Sequence, residues 1–145
     1  MSNIEPPKIP VWFWVIAGVA LVWNLMGVAA FFAENGKTAE DLAAMAEAER
    51  QLYETYPVWA KIAFAAAVFG GAIGSALLLA RKQLAVPVFA VSLAGISIQM
   101  IHSFFIANSM AVYGPSAMIM PIMVILIGVF LLWFSKNSAG KNWLS

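Results

Sequence analysis

Four long apolar runs dominate the chain: Val11–Ala33, Val58–Ala80, Leu84–Ala107 and Ser116–Phe134. Each is close to the ~20 residues an α-helix needs to cross the hydrocarbon core of a bilayer. Polar residues are too sparse within them for a water-soluble helix, which keeps one wet face. A spanning segment must satisfy its own backbone hydrogen bonds, and this selects helix. The pattern predicts an all-α fold, an integral membrane four-helix bundle forming one domain over residues 1–145.

The connections differ in character. Arg81-Lys82-Gln83 is so short that the second and third spans must form an antiparallel hairpin. Asn108 to Pro115 reads as a short uncharged loop, and Pro6, Pro7 and Pro10 predict an extended N-terminal segment. The connection from Glu34 to Pro57 is long enough to hold structure of its own. Thr38-Ala39-Glu40-Asp41 resembles a capping box with Asp in the place of Glu or Gln. Leu42, Met45, Leu52, Tyr53 and Tyr56 then recur at helical spacing, while Glu40, Glu47 and Glu54 occupy another face. This predicts an extramembrane amphipathic helix over residues 39–55. Its acidic polar face is unlike the basic face of helices that bind anionic lipid.

Composition agrees with a membrane protein: 63% of residues are hydrophobic and 10% charged, against roughly a quarter charged in soluble domains. A net charge of +1 gives no reason to expect nucleic acid as a partner. Without cysteine there can be no disulfide, thiolate metal site or thiol nucleophile. The first run exceeds the 7–15 residues of a signal-peptide core, so it is expected to be a retained span. Orientation follows from the cations. Lys8, Arg81, Lys82, Lys136 and Lys141 share one side with Glu5, whereas Lys37, Arg50 and Lys61 share the other with the remaining acids. Both termini are therefore expected in the cytoplasm. Trp12, Trp14, Trp59 and Trp133 fall near span ends, where interfacial aromatics belong.

Several positions are candidates for function. In the second span Gly70 and Gly74 form a GxxxG pair within a ridge that includes Gly71 and Ser75. Such a ridge lets two backbones approach closely, and its partner is either a helix of the same chain or a second subunit. In the third span Ser92, Gly95, Gln99 and His102 or Ser103 share a face. Asn24 stands in the middle of the first span. Polar side chains at such depth face the bundle interior, either as interhelical hydrogen bonds or as the lining of a ligand cavity. Met110, Met118, Met120 and Met123 cluster at the start of the fourth span, as flexible packing or a soft Cu(I) site. Packing is the reading adopted, with no metal or cofactor expected. Pro121, one turn into that span, is expected to kink it and free a carbonyl near Ala117.

No Asp, Glu, Lys or Arg lies deep in a span, whereas ion-coupled transporters place carboxylates there. There is no nucleophile–base set, phosphate-binding loop or metal-ligand cluster, so an enzyme is not expected.

Trp23-Asn24-Leu25-Met26-Gly27, Pro57-Val58-Trp59-Ala60, Phe69-Gly70-Gly71-Ala72-Ile73-Gly74, Tyr113-Gly114-Pro115 and Met118-Ile119-Met120-Pro121-Ile122-Met123 occur together. In these stretches the chain resembles a family of short four-span bacterial inner-membrane proteins often labelled "sugar transporter". The resemblance implies a multi-pass, transporter-like protein of the bacterial inner membrane; with no charge deep in a span, it would pass or bind a neutral polar solute such as a sugar without ion coupling. The alternative is a non-catalytic accessory subunit of a larger membrane complex. Beyond the lipid bilayer, the expected partners are a second copy of the chain or another membrane protein.

Overall fold

The computed structural model describes residues 8–106, 111, 114 and 118–145. It is an all-α four-helix bundle. The spanning helices are α1 (Val11–Asn35), α4 (Val58–Leu79), α5 (Ala85–Ile101), which continues into a π-helical turn (His102–Ile106), and α6 (Ile119–Gly140). All four are long and apolar enough to cross a membrane. Between α1 and α4 lie two short helices, α2 (Ala39–Ala44) and α3 (Glu47–Glu54).

The helix ends follow from local chemistry. Pro10 and Pro57 precede α1 and α4 in extended conformation, where a proline costs the helix nothing. At the far end of α4, Arg81 takes a left-handed φ of 59°. Lys82 N–H then bonds Leu77 O at 2.9 Å and Arg81 N–H bonds Leu78 O at 3.0 Å. These are the paired bonds of a Schellman cap. Asn142, with φ 62°, closes α6 the same way through Trp143 N–H to Ser138 O at 3.0 Å and Asn142 N–H to Ala139 O at 3.1 Å.

The helices pack as a curled row: α1 on α4, α4 on α5, and α5 on α6. Little hydrophobic force drives helices together inside lipid, so close backbone approach has to hold them. The small-residue ridge of α4 supplies it on two faces. A methyl at Gly70 would press on Ser92, and one at Gly74 on the Phe89 ring, both on α5. A methyl at Gly71 would overlap the Asn24 side chain of α1. The complementary notch is Gly95 on α5, where an added Cβ would lie 2.6 Å from Ala63 O and 2.9 Å from Ala67 N. Gly70, Gly71, Gly74 and Ser75 thus each meet a neighbouring helix of the same chain.

Three expectations change. The amphipathic segment over 39–55 is two helices, because Met45 and Ala46 are both extended (ψ 150° and 148°). Helices this short depend on tertiary packing more than on propensity, and the bend brings the Met45 sulfur to 4.0 Å from the Lys37 ammonium. The predicted capping box is present, with Asp41 N–H donating to Thr38 Oγ1 and Thr38 N–H to Asp41 Oδ2. Helix α6 continues past the expected span end at Phe134 to Gly140, with Ser135 and Ser138 buried. Pro121 falls in the first turn of α6, where its missing N–H removes no helical bond and gives no reason for a kink. Ala107, Asn108, Met110, Tyr113, Pro115, Ser116 and Ala117, along with Glu5, Pro6 and Pro7, lie outside the described residues.

At the end where the helices begin and finish, aromatic rings close the bundle. Phe13 lies 5.6 Å from Phe134 and 5.7 Å from Trp143, centroid to centroid. After α6 the chain folds back so that Trp143 and Leu144 are buried. Arg81 Nε donates to Trp143 O at 2.9 Å, Ser145 N–H to Arg81 O at 2.7 Å, and Gln83 Nε2 to Leu144 O at 3.2 Å. This clasp joins the last residues to the α4–α5 turn.

Candidate functional site

Above the aromatic floor the row does not close tightly. α1 and α6 meet through Phe13, Trp12 and Phe134, but share little backbone contact along the rest of their length. Between them, with α4 and α5 as the back wall, lies a cavity of about 430 Å³. That is within the 300–1,000 Å³ range of small-molecule pockets. Its walls are mainly apolar, among them Trp23, Phe64, Ile96 and Val124. Leu131 and Phe89 line its terminus-facing end, and both belong to the buried cluster that contains Phe13, Phe134 and Trp143.

Asn24, Ser92, Gln99 and Ser103 all line this space, but they differ in what they can offer. Asn24 Nδ2 donates to Ala20 O at 2.8 Å and to Ser75 Oγ at 3.3 Å, and Ser75 Oγ donates in turn to Gly71 O at 2.8 Å. Ser92 Oγ donates to Ala67 O at 2.6 Å. These two members of the polar set join helices first and edge the cavity second. Gln99 and Ser103 sit nearer the loop end, where they line the cavity and also a second one beyond it.

This second cavity, of about 230 Å³, lies beneath α3 at the loop end. Phe64, Gln99 and Ser103 line both, so the two adjoin at that level. Its other walls are polar, including Glu34, Glu49, Lys61, Tyr53 and Tyr56. Lys37 bridges Glu34 at 3.2 Å and lies 5.2 Å from the centre of the Tyr53 ring. Burial holds the Tyr56 phenol above its ordinary value of 10.0, with the Gln99 side chain working against the rise and the Glu34 carboxylate adding to it. The Tyr56 hydroxyl donates to Ala60 O at 3.3 Å.

His102 takes another direction. It is buried, with its ring edge-on to Tyr56 at 5.0 Å and Trp59 at 5.4 Å, and its Nδ1 has no hydrogen-bond partner among the described residues. It lines neither cavity. Three residues beyond Gln99, His102 faces Tyr56 and Trp59, whereas Ser103 keeps the face it shares with Gln99. Among the described methionines at the start of α6, Met120 lines the cavity while Met118 and Met123 do not, so the three do not converge on a site. Sequence reasoning did not find Trp23, Phe64 or Val124, which look like ordinary span residues, nor Lys61, which looks like a snorkelling end residue.

The chain matches no family model, no curated protein and no solved structure. It is a small multi-pass integral membrane protein.

Proposed function

We propose that this protein binds a small uncharged or internally neutral molecule in the cavity between α1 and α6. The observation that carries the reading is a cavity of about 430 Å³ in a bundle this small, apolar but edged by Asn24, Gln99 and Ser103. A few placed polar groups in apolar walls are the usual composition of a ligand pocket. The same composition favours an amphiphile over a bare sugar, whose hydroxyls would be buried with too few partners. Among the described residues no carboxylate lines this cavity, which fits a site that is not ion-coupled. The aromatic floor favours retention over conduction. A transporter of this kind would need that floor to open. The cation distribution supports placing both termini, and so the floor, on the cytoplasmic side.

Native mass spectrometry of the chain purified in mild detergent tests this. The expected result is a retained molecule below 1 kDa, about one per chain, on the wild type and absent from Val124→Phe, which fills the cavity. A bare mass for both chains would overturn the reading. A second polypeptide occupying the gap between α1 and α6 would replace it with the accessory-subunit role.

A further inference from the structure

Resting on the cavity reading above, we infer that the ligand is a single-chain zwitterionic lipid, its acyl chain between α1 and α6 and its head beneath α3. The inference comes from the two cavities taken as one space. The larger is apolar and lies in the depth of the spans; the smaller is polar and lies at their loop end. They adjoin at Phe64, Gln99 and Ser103, the side chains between which the ligand would pass. An amphiphile has the same division along its length. A molecule polar throughout would strand its groups in the apolar part, and one wholly apolar would leave the charged part unused.

The charges in the smaller cavity select the head. Glu34, Glu49 and Lys61 line it, but Glu34 is already bridged by Lys37. One carboxylate, Glu49, and one ammonium, Lys61, then remain. A head bearing a single negative charge would gain Lys61 but face Glu49, and a singly positive head would have the reverse conflict. A head bearing both charges pairs with both, its ammonium on Glu49 and its phosphate on Lys61. The volume of the larger cavity, about 430 Å³, suits one acyl chain rather than two. Gln99, at the junction, is placed to hydrogen-bond the glycerol or ester region between head and tail.

The test uses the full chain in phosphatidylcholine nanodiscs, offered lysophosphatidylethanolamine, lysophosphatidylglycerol or monoacylglycerol of one chain length, with adducts retained on release counted by native mass spectrometry. Lysophosphatidylethanolamine is expected to be retained about tenfold more than either of the others. Glu49→Gln and Lys61→Gln should each bring it down to the monoacylglycerol level, and Val124→Phe should abolish retention of all three. Monoacylglycerol retention by the Gln variants serves as the check that they are folded. Equal retention of the three lipids, or Gln variants that retain lysophosphatidylethanolamine as the wild type does, would overturn the assignment of the head. If some amphiphile is still lost on Val124→Phe, the cavity reading survives that result. If none is retained in a Val124→Phe-sensitive way, both readings fail.

Discussion

At the position of Gly71 a methyl group would collide with the Asn24 amide, and the Asn24 side chain is what ties α1 to Ser75 of α4. Gly71→Ala should therefore displace Asn24 and lower stability by about 1–3 kcal/mol, the usual cost of overpacking. Replacing Asn24 by Ala in the same chain should recover part of that loss, since the obstructing group is gone. Thermal unfolding in detergent would read both, and a neutral Gly71→Ala would mean that Asn24 is not held where it is described. Tyr56 offers a second measurement at this scale. Its phenol titrates above its ordinary value because burial disfavours the charged form. The contribution of the neutral phenol to stability is accordingly complete below pH ~10 and lost as pH rises through the higher folded value. The difference in absorbance near 295 nm between the wild type and Tyr56→Phe should show a tyrosine ionising late. Ionisation at or below pH ~10 would contradict the burial of Tyr56.

Among the helices, the α4–α5 crossing separates two kinds of close contact. At Gly95 the neighbours are backbone atoms, Ala63 O and Ala67 N, whereas at Gly74 the neighbour is the Phe89 ring at 2.8 Å. A ring can rotate aside and a helix backbone cannot, so Gly95→Ala should lower the melting temperature clearly more than Gly74→Ala. Equal effects would mean that the helices slide apart easily. Helix α2 depends instead on its cap. The bonds from Thr38 backbone and side chain hold the Asp41 carboxyl below its ordinary value of 3.8. That support is present above the unfolded pKa and is lost as pH falls through the lower folded one. Amide chemical shifts over residues 39–44 should move toward coil in strong acid while those of the spans stay fixed. The spans and the cap were legible in the sequence because both are local patterns, a run of about 20 apolar residues and a motif of four. The bend at Met45 and Ala46 was not, because both residues suit a helix and only packing turns the chain there. The site was half legible. The polarity of Asn24, Ser92, Gln99 and Ser103 marked the inner faces, but an empty volume depends on how far α1 and α6 splay, and no residue type encodes that.

For the molecule as a whole, the closed end and the open end have different origins. The closed end comes from long-range contacts of Trp143 and Leu144, which follow α6 and have no periodicity to announce them. Trp143 is 7% exposed, and Trp143→Ala should cost about 3 kcal/mol, as truncation of a buried Trp does. A loss near zero by thermal unfolding would show that the rings of Phe13 and Phe134 seal the floor without it. The loop end has, among the described residues, a polar upper cavity and a gap flanked by α1 and α6. A vessel closed below and open above has a thermodynamic consequence. If the proposed lipid occupies it, the floor directs exchange to the leaflet at the loop end rather than to the other. At equilibrium its occupancy then reports the chemical potential of the ligand in that leaflet alone, so a lipid distributed unevenly across the membrane would fill or empty the site as its asymmetry changed.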